Sequence, residues 1–165
     1  MQKITTYLWF DDQAEEAVAL YTSVFKDSRI TDVQRFGDAG PGPKGSVMVM
    51  RFELAGQEFI ALNGGPEFTF NESVSLYVDC TSQQEVDELW EKLTADGGQE
   101  GPCGWLKDRF GLSWQIIPRI LTDLLADKDP ARSERVMKAM FTMKKIDIQA
   151  LQAAYNRATP PNAPR

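Results

Sequence analysis

Histidine is absent from this 165-residue chain. The commonest metal ligand and the usual general base near neutral pH go with it. A Ser-His-Asp or Cys-His mechanism is therefore excluded within one chain. Any metal would rest on carboxylates, thiolates or carbonyl groups. Cysteine is scarce, with only Cys80 and Cys103. They could pair, but nothing suggests a secreted disulfide scaffold, and both are read as free, structural thiols. No apolar run is long enough to span a bilayer. The first residues, MQKITTYLWF, lack a charged region followed by a long apolar stretch, so they read as a mature, cytoplasmic start. Positive charge is in deficit as well: the formal net charge is −6. That argues against nucleic acid or an anionic membrane as a partner. Lys138, Lys144 and Lys145 gather among acids, the pattern of a solvated helix face.

What is present is enough apolar content, 42%, for one domain with a proper core. Residues 13–26 put Ala14, Ala17, Val18, Tyr21, Val24 and Phe25 on one helical stripe, and 82–95 do the same with Val86, Leu89, Trp90 and Leu93. Ser82 and Glu85 form a capping-box pattern, and Gly97-Gly98 ends that helix. Strands are expected at 4–10, 29–36, 47–54 and 57–63 around the first helix. Around the second they fall at 73–79, 104–109 and 112–117, with a shorter one near 99–102. Ala55-Gly56 and Phe110-Gly111 mark hairpin turns. The loop 37–45, rich in Gly and Pro, reads as mobile.

The order strand–helix–strand–strand–strand occurs twice. Leu8, Asp11, Val18, Tyr21 and Phe25 have counterparts Leu76, Asp79, Val86, Leu89 and Leu93 at one constant offset, which is an internal repeat. After Pro118 the pattern turns helical. Ile120, Leu121, Leu124 and Leu125 mark one helix. Asp129-Pro130 opens a second with Val136, Met137, Met140 and Phe141. Asp147 caps a third, with Ile146 and Leu151 as a hydrophobic staple. The expected organisation is 1–118 for the two modules (about 4–64 and 73–117), 119–157 for a helical extension and 158–165 for a disordered tail.

Strand alternation sorts the side chains. Leu8, Phe10, Leu76 and Val78 should pack on the helices. Thr5, Tyr7, Trp9, Ser73, Ser75 and Tyr77 share the opposite face, aromatic and hydroxylated, which suits an organic ligand. The same residues could instead fill a barrel-like interior or a dimer seam. Asp11, Asp12, Glu15 and Glu16 cluster at a helix start, where the helix dipole explains them. Asp108 and Arg109 read as turn geometry and a surface ion pair. Neither glycine-rich loop, 37–45 or 97–104, has the strand–GxGxxG–helix context of a nucleotide or S-adenosylmethionine site.

The stretches YLWFDDQAEEAVALY, DRFGLSWQIIP and RVMKAMFTMKKIDIQAL resemble the PhnB-like branch of the vicinal oxygen chelate superfamily, which includes glyoxalases, bleomycin-resistance proteins and extradiol dioxygenases. The resemblance covers roughly residues 4–157. It implies an α+β fold of two βαβββ modules, each a half-cup, and a homodimer. Members are often labelled 3-demethylubiquinone 3-methyltransferase. Carried onto this chain, the superfamily's metal ligands fall near Thr5, Ile60, Ser73 and Gln115, none of them a good ligand. The reading that follows is a small organic molecule bound by Thr5, Tyr7, Trp9, Ser73, Ser75 and Gln115, without metal or cofactor. Two alternatives stand beside it. One is an enzyme, a methyltransferase or a lyase-like relative using Glu53 or Glu58. The other is an interaction module with a filled cup whose C-terminal helices bind a protein. The apolar edge of Met137, Met140, Met143 and Phe141 is expected to dock on the sheets or on a partner subunit.

Overall fold

A computed structural model describes residues 2–157, so the tail expected at 158–165 lies outside the described residues. The chain forms two compact units, one running to Phe70 and the other starting at Asn71.

The first unit runs β1 (Thr6–Phe10), α1 (Ala14–Val24), β2 (Arg29–Arg35), β3 (Val47–Leu54) and β4 (Gln57–Asn63). Its sheet has the order β1-β4-β3-β2. β1 and β4 pair in parallel, and the other neighbours pair antiparallel. Leu8 and Phe10 are buried with Ala14, Ala17, Val18 and Tyr21 of α1. Two features of this unit escaped sequence reading. The helix cap Gln13 makes no side-chain hydrogen bond. Instead Asn63, at the end of β4, accepts from the Ala14 backbone N–H at 2.8 Å and donates to the Val47 carbonyl at 3.0 Å, tying helix and two strands together. The 37–45 loop is also not loose. The Phe36 and Ser46 strand ends pair across it, and Gly45 donates to the Phe36 carbonyl. Gly40 and Gly42 lie so close to the Phe36 ring that a Cβ on either would come within 2.6 Å of it.

The second unit repeats the plan with β5 (Ser75–Cys80), α2 (Gln83–Thr94), β6 (Gln99–Glu100), β7 (Trp105–Lys107) and β8 (Ser113–Pro118). Its sheet order, β5-β8-β7-β6, is the first sheet's order over again, with β5 and β8 parallel. The internal repeat is thus a repeat of topology. Ser82 Oγ accepts from the Glu85 N–H at 3.1 Å, as a cap should. The Glu85 carboxylate, however, reaches past Ser82 to the Thr81 N–H at 2.7 Å.

Three helices follow: α3 (Arg119–Leu125), α4 (Pro130–Met140) and α5 (Ile148–Asn156). Asp129 caps α4 and Asp147 caps α5 through their side chains. Ile146 and Leu151, the staple pair, are fully buried together with Val136, Leu121 and Ile117 of β8, so the extension packs on the second module. The Gly104 N–H donates to the Lys144 carbonyl, and the Cys103 N–H to the Met143 carbonyl. Gln83 of α2 completes the attachment: its amide donates to the Ile146 carbonyl at 2.9 Å and accepts from the Ile148 N–H at 2.8 Å. The expected lysine-rich face is ion-paired, Lys138 with Glu134 and Lys145 with Asp87, both at 2.8 Å. Among the described residues, no helix is long and apolar enough to cross a membrane.

Candidate functional site

The sequence-predicted residues fall three to each unit. In the first unit, Tyr7 and Trp9 stand on β1 facing away from Leu8 and Phe10. Tyr7 is 54% exposed. Trp9 is held: its indole N–H donates to the Gly65 carbonyl at 2.9 Å, and its ring meets Phe68 edge-on with centroids 5.0 Å apart. Gly64 lies against the same indole, close enough that a Cβ would collide at 2.4 Å. Thr5 precedes the strand, which starts at Thr6, later than the expected 4–10.

In the second unit, Gln115 of β8 donates its amide hydrogen to Ser75 Oγ of β5 at 2.9 Å. Parallel pairing places Ser75 beside Ser113 and Tyr77 beside Gln115, while Trp105 of β7 pairs with Gln115 from the other side. These five residues share one face of the sheet. Tyr77 is 53% exposed, and its hydroxyl lies 3.4 Å from Thr122 Oγ1 of α3. Ser73 departs from the expectation. The strand begins at Ser75, and Ser73 sits in a turn where its hydroxyl and its N–H both bond the Asn71 carboxamide oxygen, at 2.6 and 2.9 Å. Strand alternation therefore does not reach it.

The orientation of Gln115 is set by the turn before it. Lys107 and Ser113 are the last pair of the β7–β8 hairpin. Between them Asp108, 2% exposed, gathers the loop. Its carboxylate accepts from the Phe110 and Leu112 N–H groups at 2.9 and 3.1 Å and from the Trp114 indole at 2.9 Å. Gly111 supplies the positive φ of 86° that the loop needs. The first hairpin has a shorter turn, with Leu54 paired to Gln57 and only Ala55-Gly56 between, at φ 48° and 82°. Counting from the turn glycine therefore misassigns the repeat. Trp9 pairs with Leu62 as Tyr77 pairs with Gln115. The counterpart of Gln115 is Leu62, and Ile60 corresponds to Ser113.

At the positions matched to metal ligands, Thr5 and Leu62 of the first unit offer a hydroxyl and an alkyl chain, and Ser73 and Gln115 of the second offer a hydroxyl and a neutral amide. None supplies the anionic oxygen, thiolate or imidazole that holds a divalent ion. Among the described residues, no group of three or more Cys, Asp and Glu side chains is placed to hold a metal ion. Glu53, one of the acids considered for catalysis, is tied to Arg29 at 2.9 Å, and Glu58 pairs beside it at the hairpin end. Cys80 and Cys103 are free. Burial, reinforced by Glu85 and Asp79, pushes the Cys80 thiol up to about 12, far from a nucleophile's range. The glycine-rich loops join β2 to β3 and α2 to β7, so neither leads from a strand into a helix.

Comparison with known proteins places this geometry. The family described as 3-demethylubiquinone-9 3-methyltransferase matches residues 2–117, ending where β8 gives way to the helices. The putative 3-demethylubiquinone-9 3-methyltransferase PhnB from Bacillus cereus is 40% identical, with 71% of this chain and 99% of that protein covered and a TM-score of 0.64. Protein PA1353 from Pseudomonas aeruginosa shares the fold at 22% identity and a TM-score of 0.59, over 72% of this chain and 98% of its own. No curated protein matches. This chain belongs to the 3-demethylubiquinone-9 3-methyltransferase family and is PhnB-like, with two βαβββ modules and a helical extension.

Proposed function

We propose that this protein binds a small organic molecule on the sheet faces turned away from α1 and α2, without a divalent metal. The observation that carries the reading is the Gln115–Ser75 hydrogen bond. An amide and a hydroxyl occupy the first and last strands of the second sheet, where a metal centre would need a carboxylate. Such a pair can orient a carbonyl or hydroxyl group and cannot neutralise a cation. Tyr77 adds flat aromatic surface to that face, Tyr7 and Trp9 do the same on the corresponding face of the first sheet, and half-exposed tyrosines on both first strands support a role in contact. Thr5 precedes β1, next to that surface. Ser73, engaged by Asn71, contributes to the shape of the entry to β5.

On the same reading the chain works as a homodimer in the cytoplasm. Large apolar side chains left exposed, Phe68, Met137 and Phe141, support pairing with a second copy. Two free thiols suit a reducing compartment. Native mass spectrometry of freshly purified protein, set against its denatured mass, tests the ligand, the absence of metal and the dimer. The expected result is a dimer mass carrying an added organic mass. A stoichiometric divalent metal would sink the proposal, and Gln115→Leu should release the organic adduct if the proposal holds.

A further inference from the structure

Ser113 carries the clearest unexplained feature of the second unit. Its side chain is fully buried, at 0% exposure, and its hydroxyl has no hydrogen-bond partner. Buried hydroxyls almost always find one, and leaving one without a partner is destabilising. A serine persists there at a cost that alanine would avoid.

Its neighbours suggest what the hydroxyl is for. Ser113 pairs in register with Ser75, whose oxygen already accepts from Gln115. Ser75 keeps its own O–H proton to donate. The Gln115 carbonyl oxygen remains as an acceptor. Three groups with unused capacity, two hydroxyls and one amide oxygen, thus sit on adjacent positions of two paired strands. Tyr77 and Trp105 flank them with aromatic surface.

Charge decides the class of ligand. The two ionised groups at the ends of this face are matched within the unit. Lys107, beside Ser113, is ion-paired with Glu72, and hydrogen bonding to that ammonium is the main reason the Glu72 carboxyl lies below its usual range. Asp79, at the other end of β5, is paired with Arg119 at 2.5 Å. The middle of the face is left neutral. A charged group brought there would be desolvated with no counter-ion, whereas a neutral one loses little.

We infer that Ser113 is a ligand-binding residue, and that the molecule it recognises is an uncharged, planar compound bearing both a hydrogen-bond donor and an acceptor, such as an aryl amide or a phenolic ketone. This rests on the binding reading above and narrows it to one face and one chemical class.

Benzamide and benzoate are matched in shape and differ in charge, so they serve as probes. The full chain is titrated with each, following its backbone amide resonances by NMR. Benzamide should move the resonances of Ser75, Tyr77, Ser113 and Gln115, and benzoate should bind at least about tenfold more weakly. Ser113→Ala should weaken benzamide about fivefold to tenfold, the worth of one hydrogen bond. The same substitution should leave the melting temperature of the ligand-free protein unchanged or higher, because it removes a hydroxyl without a partner. A purely structural serine would give the reverse, a lower melting temperature with benzamide binding intact, and that result overturns the inference. So does benzoate binding as well as benzamide, or benzamide leaving those four residues unmoved. In each of those cases an organic adduct seen by native mass spectrometry would still uphold the broader reading, so the two failures are separable.

Discussion

Replacing Asp108 tests the argument that one buried carboxylate sets the register of β8 and so the direction of Gln115. The carboxylate holds three donors, the Phe110 and Leu112 N–H groups and the Trp114 indole. In Asp108→Ala all three lose an ionised acceptor. The Phe110 N–H is half-buried and can turn to water, but Leu112 and Trp114 are each 2% exposed and cannot. Two buried donors without partners cost about 1–3 kcal/mol each, and part is offset because alanine carries no charge to desolvate. The net loss should be about 3 kcal/mol, or roughly 10 °C in melting temperature for a chain of this size. Asp108→Asn keeps one oxygen in place of two and turns an NH₂ group towards a donor, so it should fall between wild type and alanine, near 1–2 kcal/mol below wild type. Equilibrium urea unfolding, read by tryptophan fluorescence, measures both. A loss under about 1 kcal/mol for alanine, or asparagine equal to aspartate, would refute the claim that this carboxylate organises the turn.

Three further outcomes follow from the same geometry. Gly104→Ala should cost about 2–4 kcal/mol, because φ is 83° and a Cβ would lie 2.6 Å from Ile117 Cδ1; limited proteolysis should then cut the 119–157 helices faster than in wild type, and equal protection would count against the docking described. Gln83→Ala removes both hydrogen bonds to the segment around Ile146 and should destabilise by about 2 kcal/mol in urea unfolding, whereas Gln83→Glu keeps only an acceptor and should recover at most part of that. Cys80 should resist Ellman's reagent in native protein at pH 8 while Cys103 reacts. Because the folded thiol stays protonated to about 12, against an ordinary value of 9.0, the unfolded chain loses its proton first as pH rises. Stability should therefore be intact below pH 9 and fall between pH 9 and 12, and Cys80→Ala should flatten that slope.

The elements were legible because their signals are local. An alternating or 3.6-residue pattern, an Asp-Pro cap and an Ala-Gly turn each act within a few residues of themselves. The helical stripe ending at Leu93, the hairpin at Ala55-Gly56 and the caps at Asp129 and Asp147 all form as their residues dictate. Features built by distant residues left no such mark. Asn63 capping α1 across 49 positions, Gln83 clasping the chain 63 residues on, and Phe36 gathering the glycines of its loop are tertiary contacts. Nothing in the neighbouring sequence distinguishes that asparagine or glutamine from a solvated one. Ser113 is the sharpest case. A serine at the start of a strand looks like a surface residue, and only burial makes its hydroxyl conspicuous.

The candidate site was half legible, and the reason lies in two turns of unequal length. Alternation put Tyr7 and Trp9 on one face correctly because β1 is regular. The same argument overran at Ser73, because the Asn71 side chain closes a turn that competes with the strand. Equating the last strands by their distance from a turn glycine failed by two residues, since a two-residue loop precedes β4 and a five-residue loop, folded round Asp108, precedes β8. A shift of two keeps the face and changes the partner. It moves Ile60 from the place of Gln115 to the place of Ser113 and brings Leu62 opposite Trp9. The two modules are therefore alike in topology and unlike in chemistry at matched positions: leucine and isoleucine in one, glutamine and serine in the other. That asymmetry was invisible until strand pairing, not sequence spacing, defined which residues correspond.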